Sequence, residues 1–237
     1  TRQSARNKTT WAAMHELGFA GAGLAELHGG SGLGANGVAV IAEALGSTAV
    51  PVHYAVDGVF LTVLLAEAGL HDLLTKTLEG RIRIAVDTSL LDGHSEQQDE
   101  YRMAFGPIDA EAVLSLRLDE NGPALMLSRG PVTEKPMIDG RTVLTGGAHD
   151  SQQSRILAQG KPVETAVISA KTRALAAAAA DSLGAMDALF SQTLDYMRVR
   201  RQFGQPLASF QTIQFRLVDM SIRLEEARSL STAAATA

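Results

Sequence analysis

The stretch Tyr196-Met197-Arg198-Val199-Arg200-Arg201-Gln202-Phe203-Gly204-Gln205-Pro206 closes the longest helical pattern in the chain. Three arginines, the aromatic Phe203 and a glycine-proline turn meet within its last nine residues. Arginines in a last helical turn suit the negative end of the helix dipole. A guanidinium also offers a two-pronged fork to phosphate, and Phe203 offers a ring for stacking. Taken by themselves, these residues fit either a charged helix end or a docking point for a phosphorylated ligand.

Upstream of this stretch, no proline falls between Pro162 and Pro206. Leu175, Leu183, Met186, Phe190, Leu194 and Met197 recur at near-helical intervals behind the alanine run Ala176 to Ala180. Alanine favours helix and lets helices approach closely. Downstream, Phe210, Ile213, Leu217, Met220, Leu224 and Ala227 are spaced 3, 4, 3, 4 and 3 residues apart. That seam predicts a second helix packed at a shallow angle, running on through Ala233 to Ala237. Two antiparallel helices leave apolar faces open, so further helices or another subunit must cover them. Glu225-Glu226, Arg223 and Arg228 are expected to form a solvated face.

The chain before residue 161 reads as two different regions. Residues 1–80 carry helical patterns separated by glycines. Trp11, Met14 and Leu17 stop at Gly18; Val38, Ile41, Ala42 and Leu45 stop near Gly46. Val59, Phe60, Val63, Leu64 and Leu65 stop near Gly69, and Leu73, Leu74 and Leu78 stop at Gly80. Residues 81–160 read as about five short strands, beginning where Ile82, Ile84 and Val86 alternate with Arg83, Ala85 and Asp87. Met103 to Phe105, Val113 to Leu118, Leu125 to Leu127 and Val143-Leu144 follow, with a turn at Asn121-Gly122-Pro123 and a polar loop over Gly93 to Glu100. The expected organisation is α+β: a helical domain over 1–80, a small β domain over 81–160, and the first part of a helical bundle over 161–237.

Composition narrows the functional classes. The 237 residues are 46% hydrophobic and 20% charged, ordinary for a globular chain. The net charge of −5 argues against a broad nucleic-acid-binding surface. There is no cysteine, which excludes disulfides, thiolate metal sites and a thiol nucleophile, and which fits a reducing cytoplasm. No apolar run approaches the roughly 20 residues of a membrane span. The polar, basic start is unlike a secretory signal, and the first residue, Thr1, fits a processed or partial chain. The six histidines at 15, 28, 53, 71, 94 and 149 show no metal-binding spacing. Gly29-Gly30-Ser31-Gly32-Leu33-Gly34 has the composition of a phosphate cradle but follows a helix, so an interhelix turn is expected.

The run Arg200-Arg201-Gln202-Phe203-Gly204-Gln205-Pro206-Leu207, then Phe210-Gln211, then Leu217-Val218-Asp219-Met220, resembles the acyl-CoA dehydrogenase signature R-x-Q-F-G-x-P-[IL]…F-Q…[LA]-A-D-M. The N-terminal part, Trp11…Glu16-Leu17-Gly18…Gly29 to Gly34…Glu43-Ala44-Leu45-Gly46, resembles that family's first helical domain. The resemblance implies the three-domain helical–β–helical fold and FAD held between the β domain and the C-terminal helices. It implies that the turn reaches a neighbouring subunit's flavin, with Arg200 on the pyrophosphate, Gln202 and Phe203 along the adenosine side, and Gln211 hydrogen-bonded to the cofactor. A guanidinium fork and a pyrophosphate are chemically matched.

The same comparison implies what this sequence lacks. In the family a glutamate removes the α proton of an acyl-CoA while the β hydrogen leaves as hydride to the flavin. One position for that glutamate aligns near Ala174, and no acidic residue lies between Glu164 and Asp181. The other base position and the family's Q-x-x-G-G flavin segment fall beyond Ala237. In the middle region, Asp87-Thr88-Ser89 stands where a T-E-x-x-x-G-S-D turn is expected. No catalytic or metal-binding residue is therefore assigned. The pattern resembles the supporting subunit of actinobacterial α2β2 acyl-CoA dehydrogenases, some of which act on steroid side-chain CoA thioesters. Its expected partners are an acyl-CoA, a homologous catalytic subunit and an electron-transfer flavoprotein or similar acceptor. Two alternatives stand beside it: a catalytic homotetramer with its base beyond Ala237, and a non-enzymatic helical assembly protein.

Overall fold

Apolar strands gather into one sheet, and helices precede and follow it in the chain. The computed structural model describes residues 2–92, 102–107, 109–129, 132–137, 142–146 and 154–236. Helices α1 (Arg2–Glu16), α2 (Gly34–Ser47), α3 (Leu61–Glu67) and α4 (His71–Leu78) come first, and a π-helical turn, Ala55–Phe60, leads into α3. Of the expected stops, Gly18, Gly69 and Gly80 have positive φ, which glycine adopts without steric cost, whereas Gly46 lies inside α2, which runs on to Ser47. In α1, Trp11 and Met14 are buried, but Leu17, expected in the same stripe, is 67% exposed because the helix has already ended at Glu16.

The strands are β1 (Ile84–Asp87), β2 (Arg102–Phe105), β3 (Ala112–Asp119), β4 (Gly122–Ser128), β5 (Val132–Pro136), β6 (Thr142–Gly146) and β7 (Ser154–Gln159), with a short helix α5 (Thr88–Asp92) after β1. Their order across the sheet is β5-β6-β2-β1-β3-β4-β7. Only the β1–β3 pairing is parallel. The sheet has seven strands where about five were expected, and the two unforeseen ones, β5 and β7, are its edges. Edge strands are half solvated, so Thr133, Glu134 and Lys135 of β5 are exposed and carry no apolar pattern. The alternation in β1 also misleads. All four of its residues are buried, because a strand second to none in centrality is covered on both faces. The β3–β4 turn falls on Glu120-Asn121, one residue earlier than expected, with Asp119 opposite Gly122 and the Asn121 N–H donating to Asp119 Oδ1 at 2.9 Å. The polar loop expected over Gly93 to Glu100 lies outside the described residues.

After the sheet come α6 (Lys161–Val199), a two-strand hairpin of β8 (Arg201–Gln202) and β9 (Gln205–Pro206), and α7 (Gln211–Thr236). Contacts divide the chain into two compact units. The first is Thr1–Val38 with Pro51–Leu175, and the second is Ala39–Val50 with Ala176–Ala237.

Within the second unit, helix backbones meet at glycines. A Cβ on Gly46 would lie 1.9 Å from the Asp181 carbonyl oxygen, and one on Gly184 would lie 1.9 Å from that of Glu43. Leu183 is buried there, while Met186, expected in the same seam, is 44% exposed. The buried stripe of α7 runs through Leu224, Ser231 and Ala235; Met220 lies outside it. Arg228 is not part of a solvated face. It is half-buried and ion-paired to Glu43 and Asp187. Among the described residues no helix is long and apolar enough to cross a membrane.

Candidate functional site

The site is the hairpin between α6 and α7. The Arg200 N–H makes a last helical bond to the Tyr196 carbonyl at 2.9 Å, and the helix ends. Arg201 then pairs with Pro206 and Gln202 with Gln205. The Leu207 N–H donates to the Arg200 carbonyl at 2.8 Å and closes the base of the hairpin. At its tip, Phe203 and Gly204 both take left-handed backbone, with φ of 53° and 83°. Two positive φ values in a two-residue loop are those of a type I′ turn, whose twist matches paired strands. Glycine takes this conformation freely, whereas a phenylalanine is strained in it.

Phe203 is 90% exposed. Its ring meets Phe210 edge to face, with centroids 6.2 Å apart, so the tip leans back on the start of α7. Arg201 is a turn-holding residue, donating from Nη2 to the Gly204 carbonyl at 3.0 Å. Gln214 Nε2 donates to the Ala208 carbonyl at 2.8 Å and ties the following turn to α7. The sequence alone had not marked either support.

The structure places Arg200, Gln202 and Phe203 on this hairpin and Gln211 at the first position of α7, all four exposed. No side-chain hydrogen bond or ion pair engages Arg200, Gln202 or Gln211 among the described residues. Three polar side chains and one aromatic ring are thus held out on a braced hairpin and the start of α7, with their donors free. A guanidinium, two carboxamides and a ring fit the pyrophosphate and the heteroaromatic part of a dinucleotide.

The end of β1 behaves in the opposite way. The Ser89 N–H donates to Asp87 Oδ1 at 2.9 Å, and the Leu116 N–H donates to Ser89 Oγ at 3.0 Å. Both side chains are buried and bind the protein's own backbone. At the position aligned with a helix-borne base, Ala174 is buried. Of the six histidines, His94 and His149 lie outside the described residues.

Two family descriptions match this chain. "Acyl-CoA dehydrogenase, N-terminal domain" matches residues 1–83, and "Acyl-CoA dehydrogenase, C-terminal domain" matches residues 166–237, together more than half of the chain. The mitochondrial isobutyryl-CoA dehydrogenase of Bos taurus is 50% identical over 56 residues, which is 24% of this chain and 14% of that enzyme. Among solved structures, the Tcur3481-Tcur3483 steroid ACAD superposes with a TM-score of 0.76 at 23% identity, covering 98% of this chain and 68% of that one. The ChsE4-ChsE5 complex from Mycobacterium tuberculosis gives a TM-score of 0.74 at 22% identity, covering 96% of this chain and 68% of that one. At such identities the likeness is one of fold.

Proposed function

The chain belongs to the acyl-CoA dehydrogenase family, and on that premise we propose that it is a supporting subunit of a heteromeric, FAD-dependent acyl-CoA dehydrogenase. Proteins of this family are FAD-dependent, and bound FAD supplies the oxidant when an acyl-CoA is desaturated between its α and β carbons. The observation that carries the proposal is the hairpin with its free Arg200, Gln202 and Gln211 side chains and its exposed Phe203. In this reading Arg200 pairs with the pyrophosphate, Gln202 and Phe203 line the adenosine side, and Gln211 hydrogen-bonds the cofactor. The cofactor they serve lies in a partner subunit.

Three features favour a supporting over a self-sufficient role. No carboxylate is available from residue 165 to 180 to take an α proton. At the end of β1, Asp87 Oδ1 and Ser89 Oγ are buried and accept from backbone N–H groups rather than facing a ligand. In the second unit, Phe215, Val218, Ile222 and Leu230 of α7 and Leu189 and Val199 of α6 are exposed, an apolar surface that calls for a covering partner. A homologous catalytic subunit in an α2β2 arrangement would cover such a surface and supply base and flavin bed. The names of two structural neighbours, a steroid ACAD and a two-component complex, favour a steroid side-chain CoA as substrate class. An electron-transfer flavoprotein would reoxidise the flavin, and the assembly would work in the cytoplasm.

The test is flavin absorbance of the chain purified alone and co-purified with a homologous acyl-CoA dehydrogenase. Flavin only in the complex, near one FAD per pair of chains, is the expected result. Flavin and activity in the chain alone would instead identify a catalytic homo-oligomer. A partnered complex without flavin would identify an assembly protein.

A further inference from the structure

A second feature lies wholly within the first unit and has no part in the flavin reading. A cleft of about 270 Å³ opens between α1, the π-helical turn and the loop that follows β2. Trp11, Val52 and Pro107 give it apolar walls. That is far more room than one water needs.

The groups in its wall are unequal in what they have left to offer. Arg83 is ion-paired to Asp109 at 2.7 Å and lies 3.8 Å from Glu111. His15 Nδ1 is bonded to the Leu78 carbonyl at 3.1 Å. Glu79 is paired with Arg81. The His53 ring stands edge-on to Phe105 at 5.1 Å. Two carboxyls remain without a partner among the described residues. Glu16 is exposed at the rim, and Asp57 is only 3% exposed, with Oδ1 buried and unbonded.

Asp57 is the only charged residue between Pro51 and Ala66, and it stands inside the π-helical turn. Such turns insert an extra residue into a helix and recur at functional sites. A buried polar atom left unpaired costs free energy that an ordinary core position would avoid. Burial also holds the Asp57 carboxyl well above the usual carboxylate range.

The geometry points to a binding site for a small organic cation, an ammonium on an apolar or aromatic body, received by Asp57 and Glu16 and packed beside Trp11. An ammonium donates three hydrogen bonds and accepts none, which complements a wall whose unused capacity is carboxyl oxygen; its charge favours the ionised form of Asp57, whose proton passes to solvent. The indole adds the attraction of its face for a cation. An anion would find Arg83 already engaged by Asp109.

Trp11 is the only tryptophan in the chain, so its fluorescence reads this cleft directly. The probe pair is benzylamine and its neutral counterpart benzyl alcohol, titrated into the whole chain. We expect saturable binding of the amine at least about tenfold tighter than the alcohol, the scale of one charged hydrogen bond. Asp57→Asn and Glu16→Gln should each erase most of that preference while leaving the alcohol unchanged. No saturable response, equal affinities, or an unaltered preference in both variants would overturn the assignment. Should Asp57→Asn fail to fold, Glu16→Gln at the exposed rim and the two probes on the native chain still decide it.

Discussion

Arg228 Nη1 lies 2.7 Å from Glu43 Oε1, joining two helices that are 185 residues apart in sequence. Its Nη2 reaches Asp187 Oδ1 at 3.0 Å, so one guanidinium ties α7 to both α2 and α6 within the second unit. The Glu43 hydrogen bond raises the already high Arg228 pKa further. All three side chains are about a third to a half exposed, which weakens each contact through solvent screening. We expect Arg228→Ala to cost about 1–2 kcal/mol in a denaturant titration. Arg228→Lys should recover only part of it, because an ammonium cannot serve both carboxylates in the plane of a fork.

The glycine contacts should be far less forgiving. A methyl group at Gly184 would stand 1.9 Å from a backbone oxygen that cannot turn aside. Gly184→Ala should therefore lower stability by about 1–3 kcal/mol or more, the range for overpacking. A thermal melt reads this, and an unchanged midpoint would show that the helices part at little cost.

Phe203 separates function from folding. Its left-handed backbone is strained, with φ of 53°, and its ring gains the edge contact to Phe210. These two effects are each about 1 kcal/mol and of opposite sign. Phe203→Gly should hence leave stability within about 1 kcal/mol of the native chain. In the partnered complex the same change should lower flavin content, measured as absorbance per protein.

Among the described residues no hydrogen bond or ion pair engages the Arg200 side chain, and its backbone bonds survive truncation. Arg200→Ala should leave the melting temperature unchanged and weaken FAD binding by about 1.5–3 kcal/mol, the worth of a charged hydrogen bond. Equilibrium dialysis of the complex measures it. Unchanged flavin affinity would reduce the arginine to a helix-end charge.

Asp57 makes the folding free energy depend on pH in a defined direction. Its carboxyl titrates well above the ordinary 3.8 in the folded chain, so from about pH 4 upward the unfolded chain gives up its proton first. The folded state then holds more protons than the unfolded one, and this group's contribution falls as pH rises from there through the folded pKa. Asp57→Asn should remove that fall, so the native-minus-variant difference in stability should decrease as pH rises. A difference that stays flat between pH 4 and 8 would contradict the buried, unpaired carboxyl.

Much of this was open to reading in the residues themselves. The 3- and 4-residue spacings fix the helices, and glycines with positive φ stop them, because both signals act within a few residues of chain. The order of helices, strands and helices followed from them, as did a turn around Gly204; the two-strand hairpin with Phe203-Gly204 at its tip was not expected. Edge strands β5 and β7 were hidden because a half-solvated strand needs no apolar pattern. The inward or outward sense of Leu17, Met186 and Met220 was hidden because several faces of a helix can be apolar while only one is buried.

What the sequence by itself determined is local: element type, turn chemistry and the family signature around Arg200. Long-range packing decided the rest. It set Gly184 against Glu43 and Arg228 between two carboxylates. It also buried Asp57 in the wall of a cleft and turned Ser89 toward the backbone. Those outcomes depend on which surfaces meet across many tens of residues, and no spacing along the chain encodes the burial or the loss of partners that such meetings impose.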